Sequence, residues 1–150
     1  MRFRLTTFGD LALHRLDDGA RLAATRRKPL ALLALLAAHH PVGVPRGRVA
    51  ALLWQDAPEA RARHALAQML YAIRRECGVA LVEGDERLRL DVERVAVDLL
   101  DFRAALAAGQ VPAAEVLHVG PFLDGVLLPG CDEFERWCDT ERRACRGALI

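Results

Sequence analysis

The side chains best suited to bind a ligand lie on one side of a predicted helix at residues 58–77. At about 100° per residue, basic and polar side chains gather there opposite an apolar stripe. The cluster comprises Arg61, His64, Gln68, Tyr71 and Arg75, with Arg63 and Arg74 on its flank. This outer cluster contains no carboxylate, which favours a polyanion or the edges of bases as its partner. The simpler alternative is a water-facing helix in an arginine-rich chain.

Patterns typical of catalysis or of a bound cofactor are missing from the sequence. It contains no glycine-rich phosphate loop, no serine nucleophile motif and no paired metal ligands. The adjacent His39 and His40 lack a nearby cysteine or carboxylate that would complete a metal site. Cys131, Cys138 and Cys145 recur every seven residues, about 10 Å apart on a helix, and are predicted to be small apolar core residues. We therefore expect no enzyme activity, no metal and no cofactor.

Composition allows one ordinary domain, or a small domain with part of another. The chain has 150 residues and a formal net charge of only +1, so any basic surface must come from local arrangement. Its N-terminus lacks the apolar run of a secretory signal. The longest apolar stretch, at residues 29–38, is about half the length of a membrane crossing. These features predict a cytoplasmic protein without membrane association, whose four cysteines are reduced.

The elements before the cluster are predicted to form a small sheet and a core helix. Three alternating runs, at residues 2–5, 11–16 and 21–23, predict an antiparallel meander. Thr25 is placed to cap a helix from residue 27 to about residue 39, which is apolar nearly all round. The basic residues Arg26, Arg27 and Lys28 fit phosphate contact and solvated charge equally well. The proline- and glycine-containing residues 39–45 predict a compact connection.

A helix-turn-helix followed by a two-stranded ribbon is predicted around the cluster. A short helix at residues 46–54 leads through a turn into the helix at 58–77. Asp56, in this turn, is expected to cap the N-terminus of the second helix. The inner stripe of that helix is predicted to be Leu66, Leu70, Ile73 and Cys77. Alternating residues at 79–82 and 87–91 flank a Gly-Asp turn and predict a hairpin wing. Its outward residues, Arg87 and Arg89, are expected to contact the DNA backbone or minor groove.

Helical patterns dominate the remaining sequence. They predict helices at residues 98–108, 113–118 and 131–149, separated by glycine- and proline-containing loops. The last helix ends on an apolar residue without a glycine or asparagine stop signal, so we expect the sequence to be cut within a longer protein.

The order of these motifs resembles that of the SARP-type bacterial transcriptional activators. The matching stretches are Phe8-Gly9, Arg27 leading into ALLALLAAHHP, RVAALLWQD, Ala65-Leu66 through Ile73-Arg74-Arg75, LRLD, VDLLDF, GPFLDG, EFERW and a final ER. Members of that family join an OmpR-like winged helix to a bacterial transcriptional activation domain made of tetratricopeptide-like helices. The resemblance implies an α+β winged-helix domain with an N-terminal antiparallel sheet at residues 1–95. It implies a truncated all-α activation domain at residues 96–150.

The resemblance also implies partners. It suggests binding to duplex DNA at repeated promoter sites, recruitment of RNA polymerase, and a possible homodimer on those repeats. Within the predicted reading surface, the Gln68 amide is suited to adenine and an arginine to guanine, whereas Arg63 and Arg74 are suited to phosphates.

An alternative hypothesis is a winged helix that has become a protein-interaction scaffold and no longer binds DNA. The two hypotheses differ in whether nearby carboxylates neutralise the arginines. The carboxylates in question are Glu59, Glu76, Glu83, Asp85 and Glu86.

Overall fold

The computed structural model describes residues 2–22 and 27–150. The strands are β1 (Phe3–Thr6), β2 (Ala12–Arg15), β3 (Arg21–Leu22), β4 (Val44–Pro45), β5 (Val82–Glu83), β6 (Arg87–Leu90) and β7 (Val95–Val97). The helices are α1 (Arg27–Ala38), α2 (Arg46–Leu53), α3 (Glu59–Cys77), α4 (Asp98–Ala107), α5 (Val111–Leu117) and α6 (Asp132–Gly147). The predicted cap Thr25 and the last residue of the third predicted strand, Ala23, lie outside the described residues.

The N-terminal sheet contains the predicted antiparallel meander and one further strand. Its strand order is β3-β2-β1-β7, and β7 runs parallel to β1. Phe3 lies opposite Val95 and Leu5 opposite Val97, and all four side chains are buried. The predicted domain boundary at residues 95 and 96 thus falls inside a strand that hydrogen-bonds to the first strand of the chain.

Asp98 connects this sheet to the helix that follows it through hydrogen bonds. Its carboxylate is buried at 6% exposure and accepts hydrogen bonds from the backbone N–H groups of Thr7, Phe8 and Leu99 at 2.9–3.0 Å. The Thr7 hydroxyl donates a further hydrogen bond at 2.6 Å. Because a buried charge is tolerated only when it is fully hydrogen-bonded, these contacts fix the start of α4 against the end of β1.

The apolar helix α1 lies at the centre of the core, as its sequence predicted. Every residue from Leu30 to Ala37 is buried, which explains why the apolar pattern covers nearly the whole circumference. The helix packs against α2, α4 and β6, so it contacts both the winged-helix elements and the later helices.

The wing differs in part from its prediction. Residues 39–45 were expected to be only a connection, yet Val44–Pro45 forms β4 and pairs with β6, giving a three-stranded order of β4-β6-β5. Burial of the Val44 side chain favours this pairing, and Pro45 is accommodated because β4 is an edge strand. Strand β5 begins at Val82 rather than at residue 79, because Gly78 ends α3 in a left-handed conformation and residues 79–81 lead from there to the strand.

The cysteines of α3 and α6 are core residues, as predicted. Cys77, Cys138 and Cys145 are buried, and burial raises their pKa from about 9 to about 11, 12 and 11 respectively. Thiols with such pKa values stay protonated at neutral pH. Cys131 is also buried and donates a hydrogen bond from its Sγ to the Leu53 carbonyl oxygen at 3.2 Å.

Within residues 2–22 and 27–150, no helix is long and apolar enough to cross a membrane.

The substitution Asp98→Asn tests the junction between β1 and α4. An amide replaces one acceptor oxygen with a donor, so at least one buried N–H loses its partner and the charge-assisted bonds weaken. We expect the free energy of unfolding to fall by about 2–4 kcal/mol in guanidinium titrations.

The matched control is Asp101→Asn, one turn later on the same helix. The Asp101 carboxylate is half-exposed and lies 3.6 Å from Arg4, so its loss should change the free energy of unfolding by less than about 0.5 kcal/mol. Equal effects of the two substitutions would contradict the special role of Asp98.

Candidate nucleic-acid interface

The helix-turn-helix is present, but its turn is not capped as predicted. Helix α2 ends at Leu53, and α3 begins at Glu59 with Pro58 at its N-cap position. Within residues 27–150, no side chain caps the N-terminus of α3 by a hydrogen bond to its backbone, so the predicted capping role of Asp56 is wrong. Because Pro58 holds the cap position, Asp56 lies two residues before it, too early in the chain for a capping hydrogen bond. Its carboxylate lies instead beside Gly130.

The two faces of α3 follow the predicted amphipathic pattern, with one correction. Leu66, Ile73 and Cys77 are buried together with Ala62. Leu70 was expected in the buried stripe, but it is only partly buried and lines a cleft between α3 and the wing. The helix therefore leaves an open groove on the side that faces β5 and β6.

The nine predicted contact residues are almost all on the surface. Eight are exposed: Arg61, His64, Gln68, Tyr71, Arg74, Arg75, Arg87 and Arg89. Arg63 is the ninth and is half-buried. Its Nε lies 3.4 Å from Glu59 Oε1, and a β-carbon at Gly47 would lie 2.7 Å from its Nη2. Arg63 thus packs over the first turn of α2, which gives it a structural role beside any phosphate contact.

Tyr71 and Arg75 form a paired unit on the exposed side of α3. The Arg75 guanidinium lies 5.8 Å from the centre of the Tyr71 ring, and its Nη1 donates a hydrogen bond to the Tyr71 hydroxyl at 3.2 Å. This contact holds both side chains in place while leaving Tyr71 62% exposed.

A cleft of about 240 Å³ lies between α3 and the wing. Tyr71 and Arg74 line it from the helix, and Leu81, Val82 and Gly84 line it from the wing. The cleft therefore brings the two predicted reading elements side by side.

Arg46 also lines this cleft and was missed by the sequence analysis. Its Nη1 donates to the Asp85 carbonyl oxygen at 3.5 Å, and its backbone N–H donates to the Glu86 carbonyl oxygen at 2.7 Å. Arg46 is brought to the cleft by the pairing of β4 with β6. A two-residue strand such as β4 is too short to recognise from sequence.

The wing is held against the segment before α2 by a close backbone approach. Arg87 Nη1 donates to the Gly43 carbonyl oxygen at 3.3 Å. Gly43 has a φ of +84°, and a β-carbon there would lie only 2.5 Å from the Leu88 carbonyl oxygen. Glycine is required at this position by both its conformation and the lack of space.

Among the described residues, most arginines on α3 and the wing form no ion pair with a carboxylate. Within residues 2–22 and 27–150, the ion pair between Arg63 and Glu59 is the single one on these elements. Elsewhere, arginines such as Arg48 and Arg142 do pair with carboxylates, at 2.8 and 2.7 Å. The exposed arginines of α3 and the wing are thus not engaged in ion pairs within 4 Å, although carboxylates lie on the same elements; these are Glu59, Glu76, Glu83, Asp85 and Glu86.

The basic run before α1 is only partly described. Arg26 lies outside the described residues, and Arg27 is exposed. Lys28 lies over the Trp54 ring with its Nζ 4.9 Å from the ring centre. In the described part of the chain, no group of three or more His, Cys, Asp or Glu side chains is arranged to hold a metal ion.

Comparison with known proteins identifies the fold. No protein-family model matches the chain, and no curated protein matches it. A solved structure of Mycobacterium tuberculosis EmbR in complex with a low-affinity phosphopeptide aligns with 98% of this chain, with a TM-score of 0.70 and 22% sequence identity. The chain shares the fold of EmbR. The aligned region is 43% of the EmbR chain.

This likeness confirms the predicted α+β fold. The fold that the resemblance implied is therefore the fold observed. At 22% identity the likeness establishes the fold and leaves the function to be argued from the residues of this chain.

The substitution Gly43→Ala tests the close approach that positions the wing. The new methyl group would meet the Leu88 carbonyl oxygen, and the residue would keep a left-handed φ. We expect the free energy of unfolding to fall by more than about 2 kcal/mol in urea titrations.

The control is Gly109→Ala, which has a φ of +72° but open space around the added methyl group. It carries only the conformational cost, about 1 kcal/mol. A similar loss at both positions would show that the contact with Leu88 is unimportant.

Proposed function

We propose that this chain is a DNA-binding transcriptional regulator that reads duplex DNA with α3 and the adjacent wing. The observation that carries the proposal is the set of exposed arginines without carboxylate partners on these two elements. They are Arg61, Arg74, Arg75, Arg87 and Arg89. A DNA duplex presents a dense row of phosphates, which matches a surface of this kind.

The polar residues of α3 would supply the sequence-dependent contacts. A helix of 19 residues, long enough to lie along the major groove, carries Gln68 and His64 on its exposed side. An amide that pairs with adenine, or an arginine that pairs with guanine, contributes about 1–3 kcal/mol of discrimination between bases. Arg75, whose Nη1 donates a hydrogen bond to the Tyr71 hydroxyl, is a candidate for such a contact.

The wing would add contacts to the backbone. Arg87 and Arg89 alternate with the buried Leu88 and Leu90, so both arginine side chains project from the same, exposed face of β6. Arg63 and Arg74 would meet phosphates on the flank of α3.

The second part of the chain would begin a domain for protein contacts. Helices α4 and α5 pack against each other, and α6 follows. We assign residues 1–95 to the DNA-binding domain and residues 96–150 to the start of a helical activation domain. A promoter-bound activator in the bacterial cytoplasm that contacts RNA polymerase, as a dimer on repeated sites, is the role that fits these assignments.

Fluorescence anisotropy with a labelled random-sequence duplex at several salt concentrations tests the proposal. We expect binding that weakens steeply with salt, because each phosphate contact contributes about 0.9 to the slope of log K against log salt. Arg74→Ala and Arg89→Ala, which each remove a predicted phosphate contact, should each weaken binding and reduce that slope by about one.

The matched control is Arg136→Ala, which removes an exposed arginine from α6. It should leave both the affinity and the slope unchanged. An absence of binding at low salt, or an equal effect of all three substitutions, would contradict the proposal. The first result would favour the protein-interaction scaffold.

A further inference from the structure

A groove on the side of α6 is separate from the residues proposed to read DNA. Its volume is about 550 Å³, and it runs between the loop at residues 118–127 and the C-terminal half of α6. Apolar atoms from Pro121, Val126 and Leu127 form much of its floor, and Arg143 and Arg146 line one wall. None of the nine predicted DNA-contact residues lines it.

The groove is preformed because Arg142 holds the loop in place. Its Nε donates to the Phe122 carbonyl oxygen at 2.6 Å, and its Nη2 donates to the Leu123 carbonyl oxygen at 2.7 Å. Leu123 is fully buried and has a φ of +49°, a conformation that costs about 1–3 kcal/mol for a residue with a side chain. A loop that is fixed in this way lowers the entropy lost when a ligand binds.

Large apolar side chains around the groove remain in contact with water. Leu127 is 63% exposed, and Val119, which lies between the lining residues His118 and Gly120, is 78% exposed. Clustered apolar exposure of this kind marks surfaces that another molecule covers.

The charged side chains that line the groove indicate which kind of ligand it can bind. Asp139 accepts a hydrogen bond from Arg142 at 2.7 Å, so its charge is already compensated. Within residues 2–22 and 27–150, Arg143 and Arg146 form no ion pair, and Asp124 is the single lining carboxylate without one. The two arginines are three residues apart and therefore project from neighbouring positions on α6. The wall that they form favours carboxylates.

We propose that this groove binds an acidic segment of a partner protein that carries an apolar side chain. The apolar side chain lies on the floor beside Val126 and Leu127, and carboxylates of the segment pair with Arg143 and Arg146. The site provides a protein contact independent of the face that binds DNA.

Fluorescence anisotropy with a labelled peptide of alternating leucine and glutamate tests this proposal. One comparison peptide has lysine in place of glutamate, and a second has serine in place of leucine. We expect the leucine-glutamate peptide to bind about tenfold more tightly than either comparison peptide, since each lacks one of the two complementary features.

Variants of the chain locate the binding site. The double substitution Arg143→Glu with Arg146→Glu should weaken binding of the leucine-glutamate peptide about tenfold, and Leu127→Ser about threefold. Arg136→Glu is the control, because it reverses an exposed charge on the same helix outside the groove, and it should leave peptide binding unchanged. All these positions except the loop residue Leu127 lie on exposed helix surface, and thermal melting by circular dichroism confirms that each variant is folded.

Three results would overturn the proposal. The first is no binding of the leucine-glutamate peptide at low salt. The second is a loss with Arg136→Glu equal to that of the double variant, which would indicate charge attraction without a site. The third is a double variant that keeps its peptide affinity but loses affinity for duplex DNA, which would assign the two arginines to a nucleic-acid surface. Failure of DNA binding by the unchanged chain would leave the peptide result unaffected.

Discussion

The buried carboxylate of Asp98 receives hydrogen bonds from both sides of the junction between β1 and α4. A charge in this position is stable only if β1, its neighbour β7 and the first turn of α4 keep their relative positions. Helix α4 in turn packs against α1, the central helix of the core. The N-terminal sheet, the helix-turn-helix and the later helices therefore share one core.

A second set of contacts extends this arrangement to the helix-turn-helix. The start of α6 lies against α2 and the turn that follows it, and Arg48 Nη1 of α2 is 2.8 Å from Glu133 Oε1. The Gln55 side-chain oxygen accepts a hydrogen bond from the Glu133 backbone N–H at 3.0 Å, and Cys131 donates to the Leu53 carbonyl oxygen. Residues near the start of α6 thus contact both α2 and the turn that leads into α3.

Local periodicity was sufficient to predict α1, α3 and the hairpin of the wing, because each pattern extends over several turns or alternations. It could not predict β4 and β7, since these strands have two and three residues and their partners are distant in sequence. The role of Asp98 was not predicted, because its donors at Thr7 and Phe8 are 91 and 90 residues away in sequence. The exposure of the predicted residues on α3 followed from the helical pattern, and that of Arg87 and Arg89 from the alternation in the wing. Whether carboxylates neutralise them depended on side-chain placement, which the sequence does not specify.

Amide chemical-shift mapping tests most directly whether the arginine-bearing face binds DNA. The ¹⁵N-labelled chain is titrated with a random-sequence duplex at low salt, and shifts are followed residue by residue. We predict that the largest shifts fall in α3 and in the wing strands β5 and β6, with none in the C-terminal half of α6. Shifts confined to α6, or no shifts at all, would contradict the assignment of this face as the DNA-binding surface.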